Sequence, residues 1–284
     1  MTYSIDTGYN RFKHYMYKNI VQNSKISKKE FQKSRGSTTP KKIQSSLKKI
    51  ATCLNGMKPE DIQKDNLQAV CFLVCNTYKK NNNTLGIGPL NDCYIMAQIN
   101  HKRGYKIYYL YDPSREEFLK YLPIFLKYTK NNLVLYYSGR CTTVYAKHVT
   151  DSAIVFDEGY ITGNELNSVL CNNTNKKVKI VLVCDCFTGG SIWNLSYENK
   201  EFPSFPSNLI SIYPIYNSTV PSMVKKAEKV HGIFTYYLCQ YSNEITDISP
   251  SKLMERMNQR LERFNISVMV ESEKSSLESQ PIFI

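Results

Sequence analysis

Residues 178–190 read VKIVLVCDCFTGG. Six apolar or sulfur-bearing residues interrupted only by Lys179 run into Asp185, a second cysteine, and then Thr188, Gly189 and Gly190. That composition describes a buried strand that stops at a turn. Residues 133–141, LVLYYSGRC, repeat the pattern: an apolar run, then Ser138 and Gly139, then Arg140 and Cys141. In open parallel sheets, ligands and reacting groups gather outside the carboxyl ends of the strands. These two run-outs are therefore the place to look for a site.

Working outward, AVCFLVC (69–75), KIYYLY (106–111) and LISIYPI (209–215) also have strand length and β-branched or aromatic enrichment. They bring the core strands to five, and ISVMV (266–270) offers a sixth. Between them, residues 89–101, 114–128, 162–171, 189–198 and 222–241 have helix-compatible lengths, and a further helix is expected over 250–264. Strands alternating with helices predict an α/β fold: a three-layer α/β/α sandwich around a mostly parallel central sheet of about six strands. No repeat with a period of about 20–50 residues is visible.

Upstream the text changes. Residues 1–66 hold fourteen Lys or Arg against five Asp or Glu, so most of the formal charge of +13 sits there. The first forty residues are polar and weakly periodic, as in a flexible arm. In TPKKIQSSLKKIATCL (39–54), Thr39 reads as a cap, Pro40 as the first helical residue, and Ile43, Leu47, Ile50 and Leu54 as one face. The chain thus divides into a basic, partly disordered extension with a short helix (1–66) and an α/β domain (67–284). Twelve glycines among 284 residues exclude a collagen-like chain. Nine scattered cysteines lack the dense spacing of a secreted disulfide scaffold. MTYSIDTGYNRFKHY lacks a signal-peptide core, and no stretch of about 18 apolar residues occurs. A soluble, cytoplasmic or otherwise intracellular protein is expected.

The two run-outs resemble the metacaspases and other caspase-fold cysteine peptidases. In that family one strand ends YYSGHG, its His the general base, and a later strand ends D-x-C-H-S-G, its Cys the nucleophile. Here the segments are Tyr136-Tyr137-Ser138-Gly139-Arg140-Cys141 and Cys184-Asp185-Cys186-Phe187-Thr188-Gly189, with Cys186 forty-six positions after Arg140. A caspase His lies about 50 residues before its Cys. Leu90-Asn91-Asp92, Gly104-Tyr105, Gly232-Ile233-Phe234-Thr235 and Gln280-Pro281 resemble further family fragments in the right order. The likeness covers the chain from about Gln68 to its end.

The resemblance implies a nucleophile position at Cys186, Arg140 in the place of the family His, and Cys141 in the place of an oxyanion-hole glycine. Ser138 and Cys184 take substrate-binding places, Cys184 where the family has an acid that helps hold a basic P1 side chain. Arginine stays protonated at any working pH and cannot act as a base. The chain therefore reads as a catalytically impaired pseudopeptidase that binds or regulates a protein or peptide partner. Gly163-Asn164 stands near a place for paired acids, and no calcium activation is expected.

Other readings stay open on the residues alone. Cys186 reads also as a buried strand-end thiol, or as a thiol activated by a neighbouring Arg140 cation. Arg140 reads also as a surface residue or a salt-bridge partner. His148 is the nearest imidazole in sequence and the candidate substitute base for an active peptidase; His14, His101 and His231 have no legible partner. No cofactor and no metal are expected: Cys184-x-Cys186, with Cys141 close by if the fold is right, lacks the usual zinc spacing and its two thiols are expected to diverge across the strand, so that disulfide formation between neighbouring thiols on oxidation is the stronger reading of this cluster. Residues 1–38 offer a basic arm for nucleic acid or anionic lipid.

Overall fold

The apolar runs form strands and the amphipathic stretches between them form helices, each with a local reason. The structure, a computed structural model, describes residues 39–62, 64–79, 84–146, 149–186, 192, 193, 195, 206, 208–216, 223–226 and 229–283. Helix α1 (Pro40–Leu47) opens as its sequence demands, with Thr39 accepting from the Lys42 N–H and Pro40 at the first position. It ends at Leu47 rather than carrying on to Leu54. Thr52–Cys53 becomes a two-residue strand, β1, and Leu54 is buried on the opposite side of the sheet from Ile43 and Leu47.

The other elements follow in order: β2 (Ala69–Cys75), α2 (Gly88–Lys102), β3 (Lys106–Tyr111), α3 (Arg115–Tyr128), β4 (Asn132–Ser138), β5 (Arg140–Ala146), β6 (Val149–Phe156), β7 (Gly159–Thr162), α4 (Gly163–Asn173), β8 (Lys179–Asp185), β9 (Leu209–Tyr216), β10 (Met223–Lys226), β11 (Lys229–Gly232), α5 (Ile233–Glu244), α6 (Pro250–Leu261) and β12 (Ile266–Ser272). Ser114 caps α3, Thr162 caps α4 and Ser249 caps α6, each through its hydroxyl.

The central sheet has seven strands in the order β1-β3-β2-β4-β8-β9-β12, parallel except that β12 runs antiparallel to β9. The expected α/β/α layering holds. Alternation along the buried strands splits the core in two. Cys71, Leu73, Val134, Tyr136, Val181 and Val183 face α1, α2, α5 and α6. Val70, Phe72, Leu135, Tyr137, Leu182 and Cys184 face α3 and α4. There the Phe125 ring lies 4.8 Å from Phe72 and 4.9 Å from Tyr108, and burying each such side chain contributes roughly 1.5–3 kcal/mol.

Two features depart from the sequence reading. The helix expected over 222–241 divides: β10 and β11 pair as an antiparallel hairpin, and α5 starts only at Ile233. Gly232 is a poor helix-interior residue, and Asp92 takes its N–H. Strands β5, β6 and β7 form a separate antiparallel sheet in that order. The helix expected over 189–198 lies outside the described residues except at 192, 193 and 195. Among the described residues, no helix is long and apolar enough to cross a membrane.

Candidate functional site

The carboxyl ends of β2, β4 and β8 finish level. Cys75 is paired with Ser138, Ser138 with Asp185, and the Gly139 N–H reaches the Asp185 carbonyl at 3.3 Å. Neighbouring parallel strands thus deliver both run-outs to one place. Gly139 has to be glycine: a Cβ there would fall 2.6 Å from the Tyr137 hydroxyl and 2.8 Å from that of Tyr78. Those hydroxyls steer the next strand. The Arg140 N–H donates to Tyr78 Oη at 2.7 Å, and Tyr137 Oη lies 2.9 Å from the Arg140 carbonyl and 2.8 Å from that of Val155. The Arg140 guanidinium sits 4.6 Å from the Tyr78 ring centroid, a cation–π contact.

Next along β5, Cys141 meets Cys186. The two form a disulfide with Cα atoms 5.6 Å apart. This replaces the expected pairing of a Cys186 thiol with an arginine cation: the sulfur is bonded to Cys141 and buried, at 7 % exposure. The expectation that Cys184 and Cys186 diverge also fails. Side chains two apart on a strand share a face, and both sulfurs lie in the α3/α4 side of the core, 3.5 Å from each other. Ser138 and Cys184 are both buried, and burial pushes the Cys184 thiol far above its ordinary pKa. His148 and residues 1–38 lie outside the described residues.

The family model for the caspase domain, peptidase family C14, matches residues 68–282. The chain belongs to the caspase domain family. No curated protein matches it. Among solved structures, a protein from Geobacter sulfurreducens aligns at 12 % identity over 76 % of this chain and 99 % of its own, with a TM-score of 0.55. The structure described as pro-Sf-caspase-1 aligns at 11 % identity over 72 % of this chain and 87 % of its own, with a TM-score of 0.50. At these identities the likeness is one of fold.

The caspase domain carries a second polar group on the other side of β8, which the sequence reading missed. Asp185 accepts from Thr235 Oγ1 at 2.5 Å and from Tyr216 Oη at 3.1 Å, and Thr235 in turn meets Tyr136 Oη at 2.7 Å. Asp92 accepts the Gly232 N–H at 3.0 Å and lies 3.1 Å from His231 Nδ1, so His231 has a partner after all. A Cβ on Gly232 would lie 2.5 Å from Asp185 Oδ2 and 3.0 Å from Asp92 Oδ2, which explains the glycine. The family fragments around Asp92 and Thr235 are therefore far apart in sequence but adjacent in space. The legible signal was Asp185 itself, a carboxylate closing an apolar strand.

Both acids are buried. Burial holds the Asp92 carboxyl well above the usual carboxylate range; neighbouring Asp185 adds to this, and the Gly232 N–H offsets part of it. Burial likewise raises Asp185, against the lowering effect of the Thr235 and Tyr216 hydroxyls. A carboxyl raised on folding stabilises the fold below its unfolded pKa, and the contribution disappears as pH climbs through the folded value. The caspase domain is expected to lose stability at these two groups as pH rises above about 4, the ordinary range of an unfolded aspartate. Asp185→Asn should therefore gain on the unmodified chain as pH rises, read as the difference in urea midpoint at successive pH values. A constant difference would show that Asp185 titrates alike in both states.

Proposed function

We propose that the chain is a metacaspase-like pseudopeptidase, a caspase-fold protein that retains the scaffold and binds or regulates a protein or peptide partner without cleaving it. One observation carries the reading: the sulfur at the family's nucleophile position is held in a disulfide by Cys141, beside a strand that offers Arg140 where the family has its base. A disulfide sulfur has no thiolate to attack a carbonyl. Reduction alone does not restore the machinery, since Arg140 can neither take the thiol proton nor deliver one to the leaving amine. Loss of general acid–base catalysis removes about 10²–10⁴-fold in rate. Cys141 also puts a side chain where the resembling family has a glycine N–H for the oxyanion.

Purified protein incubated with a broad peptide library, with and without calcium and with and without a thiol reductant, is expected to show no turnover above that of Cys186→Ala. Turnover that Cys186→Ala abolishes would overturn the proposal. It would favour an active peptidase with a substitute base such as His148.

A further inference from the structure

Three cysteines from two strands meet beside the end of β8. The Sγ atoms of Cys141, Cys184 and Cys186 all lie within 4.8 Å of one another, and no other trio of His, Cys, Asp or Glu among the described residues converges in this way. Each of the three is buried, at 8, 2 and 7 % exposure. We propose that, once the Cys141–Cys186 disulfide is reduced, Cys141, Cys184 and Cys186 bind one thiophilic d10 metal ion through three thiolate sulfurs.

The spacing is that of a shared ion. Two sulfurs bound to one zinc by bonds of about 2.3 Å at near-tetrahedral angles sit about 3.8 Å apart. The Cys184 and Cys186 sulfurs are 3.5 Å apart already. Opening the disulfide lets the third sulfur, Cys141 Sγ, retreat to a similar distance and complete the triangle. The backbone behind the trio is fixed: β4 and β8 are in register up to Ser138 and Asp185, and β5 is pinned through Arg140 to Tyr78. Little reorganisation is left for the ion to impose.

The chemistry of the donors selects the ion. Three sulfurs in an apolar cluster suit monovalent copper or divalent zinc and cadmium, and not magnesium or calcium, which take oxygen. An apolar cluster disfavours uncompensated charge, and a cation at the centre of the three sulfurs supplies the charge that makes thiolates stable there. With three protein sulfurs, a three-coordinate monovalent ion is saturated, whereas zinc or cadmium takes a fourth ligand from solution. The balance is simple. An external dithiol or phosphine gives two electrons to the disulfide and is itself oxidised, two protons convert the sulfurs to thiols, and the entering ion displaces one proton from each of the three thiols.

The test uses the full chain, reduced with a phosphine, desalted without air and titrated in separate arms with Cd(II), Zn(II) and Cu(I). Expected are one ion per chain, a thiolate-to-cadmium charge-transfer band in the Cd(II) arm, and protection of Cys141, Cys184 and Cys186 from alkylation as mapped by mass spectrometry. Competition with chromophoric chelators then ranks the ions. Unreduced protein should bind none. Cys184→Ser should abolish the band while Cys171→Ser keeps it. Alkylation mapping needs no substitution and keeps the proposal testable should Cys184→Ser not fold. No stoichiometric uptake by the reduced, folded chain overturns it, as does uptake that protects other cysteines instead. Neither result bears on peptide turnover, which the library assay measures separately.

Discussion

Replacing Arg140 by His and Cys141 by Gly in one chain is expected to raise Cys186-dependent peptide hydrolysis at least about 100-fold over the unmodified protein. Each change removes a different obstacle. Cys141→Gly frees the Cys186 sulfur from its disulfide and removes a side chain from the start of β5. Arg140→His supplies a group able to accept and return a proton near neutral pH. Neither works alone: with only the histidine the sulfur stays bonded, and with only the glycine the thiol has no base. The gain should therefore be strongly non-additive across the unmodified chain, the two single variants and the double variant, as expected for groups that act as a unit. Glycine within a strand costs roughly 0.5–1 kcal/mol and loss of the disulfide typically about 2–4 kcal/mol, together less than the roughly 5–15 kcal/mol that holds a typical domain. The measurement is kcat/KM on the peptides of the library, with the double variant carrying Cys186→Ala as background. A double variant no better than either single one would mean that Ser138 and Cys184 no longer build a usable substrate pocket.

Leu47→Ala is expected to destabilise the fold by about 2–5 kcal/mol, the usual range for a leucine truncated in a core. Leu47 is fully buried, and with Ile43 it lies in the same core as Cys71, Leu90 and Met96, where α1 packs against α2. Nearby Thr52 and Cys53 pair with Tyr108 and Tyr109 of β3. On this evidence we infer that the folded unit reaches back to at least Thr39. The effect is read as a lower urea midpoint at unchanged slope. A shift under about 0.5 kcal/mol, the range of ordinary surface substitutions, would show that α1 is a detachable appendage.

The long apolar strands were legible because burial on both faces writes itself as continuous Val, Ile, Leu and Tyr. AVCFLVC is β2 as read, KIYYLY is β3, and the segments at 133–138, 178–184, 209–215 and 266–270 fall within a residue or two of β4, β8, β9 and β12. Shorter or half-exposed elements leave no such trace. Thr52–Cys53 has two residues and no period to detect. RCTTVYA, β5, buries Cys141 and otherwise shows half-buried or exposed positions as far as Tyr145, which is 81 % exposed, so its text resembles a loop. At the site, the meeting of positions 140 and 186 followed from strand adjacency. That a disulfide joins Cys141 to Cys186 did not, because the pairing depends on where the first two residues beyond β4 turn, and the tyrosine hydroxyls around Gly139 set that turn. The thiol pair was misjudged on a simpler point, since Cys184 and Cys186 are two apart and share a face. The contact of His231 with Asp92 joins residues 139 apart and had no local signal.

The last described residues bear on how the protein is made. Leu277, Ile282 and Phe283 are buried in the α2/α5/α6 side of the core; Ile282 bonds to Ile248, Pro281 receives the Lys179 ammonium, and Phe283 lies under Arg103. A chain still emerging from the ribosome therefore holds an unfinished apolar face until these residues clear the exit tunnel. Synthesis at about 5–20 residues per second separates Leu47 from Ile282, which share that core, by roughly 10–50 s. During this interval the half-built sheet is the species most in need of a chaperone.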